Sequence, residues 1–123
     1  MAKHNDFGRH SEIMACEYLV KEGYEILATN WRSGHKEIDI IARQDDTVVI
    51  VEVKARKMDS IAEPEEAINY KKITNLVRAA DTYMNMTNLD LDVRFDIITL
   101  LLAPTGEYTL NHIADAFYPP LGA

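Results

Sequence analysis

Two stretches rich in β-branched and aliphatic residues, 36–43 and 47–56, flank the four residues Gln44-Asp45-Asp46-Thr47. This pattern predicts an antiparallel hairpin with Asp45 and Asp46 as the central turn residues. The turn sets the register. Arg43 then faces Val48, Ile40 faces Val51, Asp39 faces Glu52 and Glu37 faces Lys54. Directly opposed side chains share one face of the sheet, about 5 Å apart. One face is wholly apolar (Ile38, Ile40, Ala42, Val49, Val51, Val53) and must pack on a helix. The other has an apolar middle (Ile41, Val48, Ile50) and an end crowded with charge (Glu37, Asp39, Glu52, Lys54). Two carboxylates held opposite each other in a partly buried place repel, so something positive must compensate. Lys54 and a bound divalent cation are the two candidates. A one-residue slip would send every side chain to the other face and destroy the arrangement.

The hairpin sits in a chain of 123 residues, the size of a single domain spanning 1–123. From Asp6 to Glu22 the pattern is helical, with Asn5 or Asp6 as cap and Gly23 just past the end. Ala15, Cys16, Leu19 and Val20 form its apolar stripe, which Glu12 continues. Tyr24 to Trp31 reads as a first strand with Tyr24, Ile26 and Ala28 on one face, and Ser33-Gly34-His35 as a turn. After a loop at 57–62, Pro64 suits the first turn of a long helix reaching about Met86. Ile73, Leu76, Val77, Ala80, Tyr83 and Met84 supply its buried face. Val93 to Leu102 reads as a central strand and Tyr108 to Ile113 as a last one. The order αβββαββ predicts an α/β or α+β sandwich, helices on a mixed sheet.

Composition narrows the function classes. Apolar residues make up 47% of the chain, enough for a real core. Cys16 is the single cysteine, so no internal disulfide forms and nothing points to secretion. The chain lacks an apolar run long enough for a membrane span and a signal-peptide pattern at its start, which predicts a soluble, cytoplasmic protein without a membrane partner. A net charge of −7 argues against a general nucleic-acid coat protein. The charge is uneven, however. Residues 1–57 carry nine bases against ten acids, whereas residues 58–123 carry four against ten. Any polyanion binding is therefore local and salt-sensitive.

The remaining chemistry-bearing residues read first as structure. His4, His10, His35 and His112 lack metal-ligand spacing, so zinc is not expected; His35, at the hairpin mouth, is the one near the charged end. Asp96 follows Arg94 on an apolar strand and reads as a structural partner to a base. Trp31 reads as a rim-of-core aromatic and Cys16 as core. Met84 and Met86 read as packing or a subunit contact.

Helix, strand, then Glu37-Ile38-Asp39 and, after the hairpin, Val51-Glu52-Val53-Lys54 resembles the core of the PD-(D/E)xK nucleases. The closer resemblance, over nearly the whole chain, is to the YraN-like family of predicted endonucleases. It is carried by Gly8-Arg9 with Glu12, Gly23-Tyr24, Asn30-Trp31-Arg32, residues 37–42, Val51 to Lys54 with Arg56, Ala67-Ile68 with Lys72, Arg94-Phe95-Asp96 and Asp115-Ala116-Phe117. Lys36 departs from that family's usual glycine, Ala55 from its usual Thr or longer polar residue, and the loop Ser60 to Glu63 lacks a common glycine. The resemblance implies a restriction-endonuclease-like three-layer core, akin to the Holliday-junction resolvases. It implies Mg²⁺ or Mn²⁺ on Asp39 and Glu52, with the Val53 carbonyl as a third oxygen. It implies Lys54 at the attacking water, Glu12 as a helix acid reaching metal through water, and Lys72 on a phosphate. Arg9, Arg32, Arg56 and Lys57 are candidates for DNA-backbone contact, though each taken singly reads as solvated charge. The implied reaction is phosphodiester hydrolysis in structured or single-stranded DNA, with a homodimer supplying one site per strand. The competing readings are a nucleic-acid-binding module of the same fold without turnover, and a protein-interaction domain.

Overall fold

A computed structural model describes residues 2–58 and 70–119, with side chains from Phe7 onward. The order is α1 (Ala2–Lys21), β1 (Glu25–Ser33), β2 (Lys36–Gln44), β3 (Thr47–Lys57), α2 (Tyr70–Thr87), β4 (Asp92–Leu102) and β5 (Tyr108–Ile113). The expected start of the second helix at Pro64, most of the loop at 57–62 and the Ala67-Ile68 match lie outside the described residues. The five strands form one mixed sheet in the order β1-β2-β3-β4-β5. Only β3 and β4 pair in parallel, because α2 lies between them in the chain; the other pairs are antiparallel. The architecture is α/β, as the element order predicts. No described helix is long and apolar enough to cross a membrane.

Helix α1 begins earlier than expected. Ala2-Lys3-His4 contains no breaker, so the helix runs through Asn5 and Asp6, which do not cap it. Its end is as expected. Gly23 adopts φ +94°, its N–H bonds Val20 C=O at 3.1 Å, and Tyr24 N–H bonds Leu19 C=O at 2.9 Å. That bond pair is a Schellman cap, which a side chain with a Cβ would strain.

The β2–β3 hairpin has the register read from its turn. Gln44 pairs Thr47, Arg43 pairs Val48, Ala42 pairs Val49 and Ile40 pairs Val51. Asp45 takes the left-handed conformation, φ +54°, which Asp tolerates better than most residues. The core has two layers. Under α1 lie Ile40, Ala42, Val49, Val51, Ile98 and Leu100 with the helix's Ala15 and Leu19. Under α2 lie Ile41, Val48, Ile50 and Phe95 with the helix's Leu76, Ala79, Ala80 and Tyr83. Ala79 joins the buried face expected for α2, and Ile73 is only half-buried. Met84 packs against this layer, whereas Met86 is exposed. Trp31 sits at the rim, its ring 5.4 Å from that of Tyr83 and edge-on.

Two side chains leave their expected faces. The register between β1 and β2 shifts between Ile26 and Ala28, a bulge that moves Ala28 to the α2 side beside Leu27. Ile38 also lies in the α2 layer, not with Ile40 and Ala42. Its partner Trp31 lies on the same side, and between Trp31 and Thr29 stands Asn30 at φ +49°. The left-handed residue breaks the alternation of β1, and β2 follows it at the facing residue, Asp39. Asp39 is therefore the pivot at which β2 changes face.

Candidate metal centre

The β2–β3 ladder ends at Ile40–Val51. The expected pairs Asp39–Glu52 and Glu37–Lys54 do not form, because β2 turns aside at Asp39. Instead the Val53 N–H donates to Asp39 Oδ2 at 2.8 Å, so a carboxylate takes the place of a ladder carbonyl. Glu37 pairs across the other hairpin with Arg32, at 3.7 Å.

The two acids nevertheless share one environment. Glu52 follows Ile50 on the α2 side of β3 and is only 8% exposed. Burial pushes the Asp39 carboxyl up to about 7, and the neighbouring charge of Glu52 adds to it. The Val53 N–H and the Lys72 ammonium pull the other way, and Glu12 raises it further. An acid so raised marks a place where negative charge is concentrated and poorly solvated.

One compensating charge comes from α2. Lys72 Nζ stands 3.1 Å from Glu52 Oε2. The hairpin pattern points to Lys54 or a cation for this compensation, and the family resemblance implies Lys72 on a phosphate. Helix α2 crosses the charged strand ends and brings Lys72 onto the acid itself. Lys54 lies half-buried on β3, two residues beyond Glu52, in register with Thr99 of β4.

A cleft of about 210 Å³ opens onto Asp39, lined also by His35, Lys36, Glu37, Lys72 and Asn75. His35 belongs to it, as its place at the hairpin mouth suggested. A larger cleft of about 490 Å³ shares Lys36 and continues along α2 past Arg78. Glu12 lines a different cleft, on the α1 side, with Arg9, Cys16 and Asn30. Arg9 and Lys72 therefore serve separate surfaces. Arg32 is exposed and paired with Glu37, Arg56 is half-buried near the end of β3, and Lys57 sits 5.6 Å above the Phe7 ring. Cys16, expected in the core, is half-buried at the edge of the α1 layer, and burial with the charges of Glu12 and Glu17 pushes its thiol up.

The donors offered to a cation are hard carboxylate oxygens. Among the described residues, no three His, Cys, Asp or Glu side chains gather tightly enough to ligate one ion. Asp39 and Glu52 form a two-carboxylate set, which suits an ion that keeps several waters, as Mg²⁺ does.

A second polar cluster lies under α1. Asp96 is 1% exposed and accepts from Arg94 Nε at 2.9 Å and Arg94 Nη2 at 2.8 Å. Its Oδ2 lies 2.7 Å from His112 Nε2, and its Oδ1 accepts from the Asp115 N–H at 2.9 Å. His112 Nδ1 meets Tyr18 Oη at 2.9 Å, and Arg94 reaches Tyr24 Oη at 2.8 Å. Burial alone would raise Asp96, but the hydrogen bonds from Arg94, the Asp115 N–H and His112 hold it below its ordinary value. Asp96 is thus the structural partner expected of it. His112 was missed as a member; its position facing Ile98 on β5 depends on a pairing that no local spacing signals.

The chain matches the model of the family described as "Uncharacterised protein family UPF0102" over residues 11–100. The chain belongs to the UPF0102 family. Among UPF0102 relatives it is 51% identical to one from Parabacteroides distasonis over 120 residues, 98% of each chain. It is 49% identical to one from Bacteroides thetaiotaomicron, over 98% of this chain and 99% of that one. A relative from Flavobacterium psychrophilum is 43% identical over 96% of this chain and 98% of its own. The UPF0102 match spans the hairpin, Lys72 and the Arg94–Asp96 pair, and ends before His112.

Proposed function

We propose that this UPF0102 protein is a metal-dependent endonuclease of restriction-endonuclease-like fold, acting on phosphodiester bonds in structured or single-stranded DNA. The observation that carries the reading is the pair of acids from adjacent strands, Glu52 buried and Asp39 half-buried on a cleft, with Asp39 raised to about 7. A fold tolerates such a concentration of charge at a cost in stability, and sites built to take a cation are where that cost recurs. The αβββαββ order and the parallel β3–β4 pair support the fold assignment.

Mg²⁺ or Mn²⁺ on Asp39 and Glu52 would polarise the phosphodiester and acidify a water. The chain's own residues do the rest. The Val53 N–H fixes the Asp39 carboxylate and so orients its second oxygen. Lys54, on the same strand as Glu52, supplies an ammonium that orients the attacking water and balances charge developing at phosphorus. Glu12 adds negative charge from α1, within reach of Asp39's field. A DNA strand enters along the two joined clefts, with its phosphates on Lys36 and Arg78. A homodimer would present two such sites to two strands.

A net charge of −7 favours a second reading, a module that binds nucleic acid delivered by a partner and does not cut it. Mn²⁺-dependent cleavage of flapped or branched DNA separates the two. The nuclease reading expects cleavage by the wild type, abolished in Asp39→Asn and Lys54→Met with binding retained. Binding by all three proteins with no cleavage by any of them refutes it.

A further inference from the structure

We propose that Lys72 is the internal counter-ion of the carboxylate pair, and that a divalent cation enters the site by displacing its ammonium from Glu52. The inference rests on the metal-dependent reading above and deepens it. Three features of the geometry support it. Lys72 Nζ lies 3.1 Å from Glu52 Oε2, within the space that a cation on that oxygen needs. The two ends of the pair are unequal: the Glu52 side chain is 10% exposed and that of Lys72 is 49% exposed. The acid is anchored in the sheet, and the ammonium reaches it from solvent at the end of a flexible four-carbon stem. Lys72 also lines the cleft that contains Asp39, so the side chain has somewhere to go.

An ammonium offers hydrogens and no lone pair, so it cannot remain as a ligand when a metal arrives. Two positive charges at contact distance in a half-buried place repel strongly. One of them must leave, and Lys72 can do so by side-chain rotation alone. The metal-free fold is thereby charge-compensated. Loading the metal moves the Lys72 ammonium off Glu52, which makes Lys72 a positioning residue whose place depends on metal occupancy.

Mn²⁺ binding by the full chain, read by electron paramagnetic resonance at pH 8 and low salt, tests this without reference to cleavage. Lys72→Met is expected to bind Mn²⁺ about tenfold more tightly than the wild type, since the competing charge-assisted bond is gone. Lys72→Arg should bind like the wild type, and Glu52→Gln should lose binding. Unchanged or weaker affinity in Lys72→Met, with binding still lost in Glu52→Gln, overturns the displacement and leaves the metal site standing. Absence of Mn²⁺ binding in every protein removes both. Should Lys72→Met not fold, the wild type carries the test through the Lys72 Nζ resonance, assigned by its loss in Lys72→Arg. Displacement moves that resonance on Mg²⁺ titration, and a stationary signal at saturation overturns the proposal.

Discussion

The Val53 N–H donates to Asp39 Oδ2 at 2.8 Å, immediately beyond the last ladder pair of the β2–β3 hairpin. A side chain thus continues a hydrogen-bond pattern that the backbone has abandoned. The acid is held in place by the sheet itself, and its charge is kept where solvent reaches it poorly.

That placement sets a pH dependence. The Asp39 carboxyl rises from 3.8 in the unfolded chain to about 7 in the fold. Between those values the folded state holds more protons than the unfolded state, so this group's contribution to stability falls as pH rises through the window. Asp39→Asn keeps an acceptor for Val53 and removes the charge. It should stabilise the protein by roughly 2–4 kcal/mol at pH 8 and change little at pH 4. Urea denaturation at the two pH values measures this. Equal effects at both would show that the acid is not raised.

Asp96 behaves with the opposite sign. Its folded value is held below 3.8, so its contribution is present above that value and is lost as pH falls below it. Asp96→Asn leaves Arg94 and His112 without their buried carboxylate, and should cost roughly 3–5 kcal/mol at pH 7. The denaturant midpoint should fall with no change in slope.

Asn30 tests the pivot. Its φ of +49° suits Asn and Gly and strains a β-branched residue. Asn30→Gly should shift stability by less than about 1 kcal/mol, and Asn30→Val should cost about 1–3 kcal/mol. Trp31 is the sole tryptophan and packs edge-on against Tyr83, so its fluorescence reports whether the strand has re-registered. A silent Asn30→Val would mean that Asn30 does not set the face change.

Lys36 lines both clefts along α2. If DNA follows that track, Lys36→Ala should weaken binding across all sequences and reduce the salt slope by about 1. Anisotropy of a labelled single strand at several salt concentrations measures it. An unchanged slope would move the track elsewhere.

The hairpin register was legible because one turn and an alternating pattern leave a single way to bury Val49, Val51, Ile40 and Ala42 together. Gly23 marked the end of α1, and Arg94 beside an otherwise apolar strand marked Asp96 as its partner. These are local relations or relations through one short turn. The face of Ile38, the ion pair of Lys72 with Glu52 and the place of His112 were not legible. The first needs a left-handed residue on a neighbouring strand, the second a helix crossing the sheet, the third the pairing of β4 with β5.

The order of residues specified which groups are chemically able to act, and it put two acids on adjoining strands, since strand periodicity is a property of the chain's own backbone. How close those acids come, how dry they are, and which ammonium answers them were settled by packing. Distance and dielectric belong to groups far apart in the chain and exist only once the helix lies across the sheet.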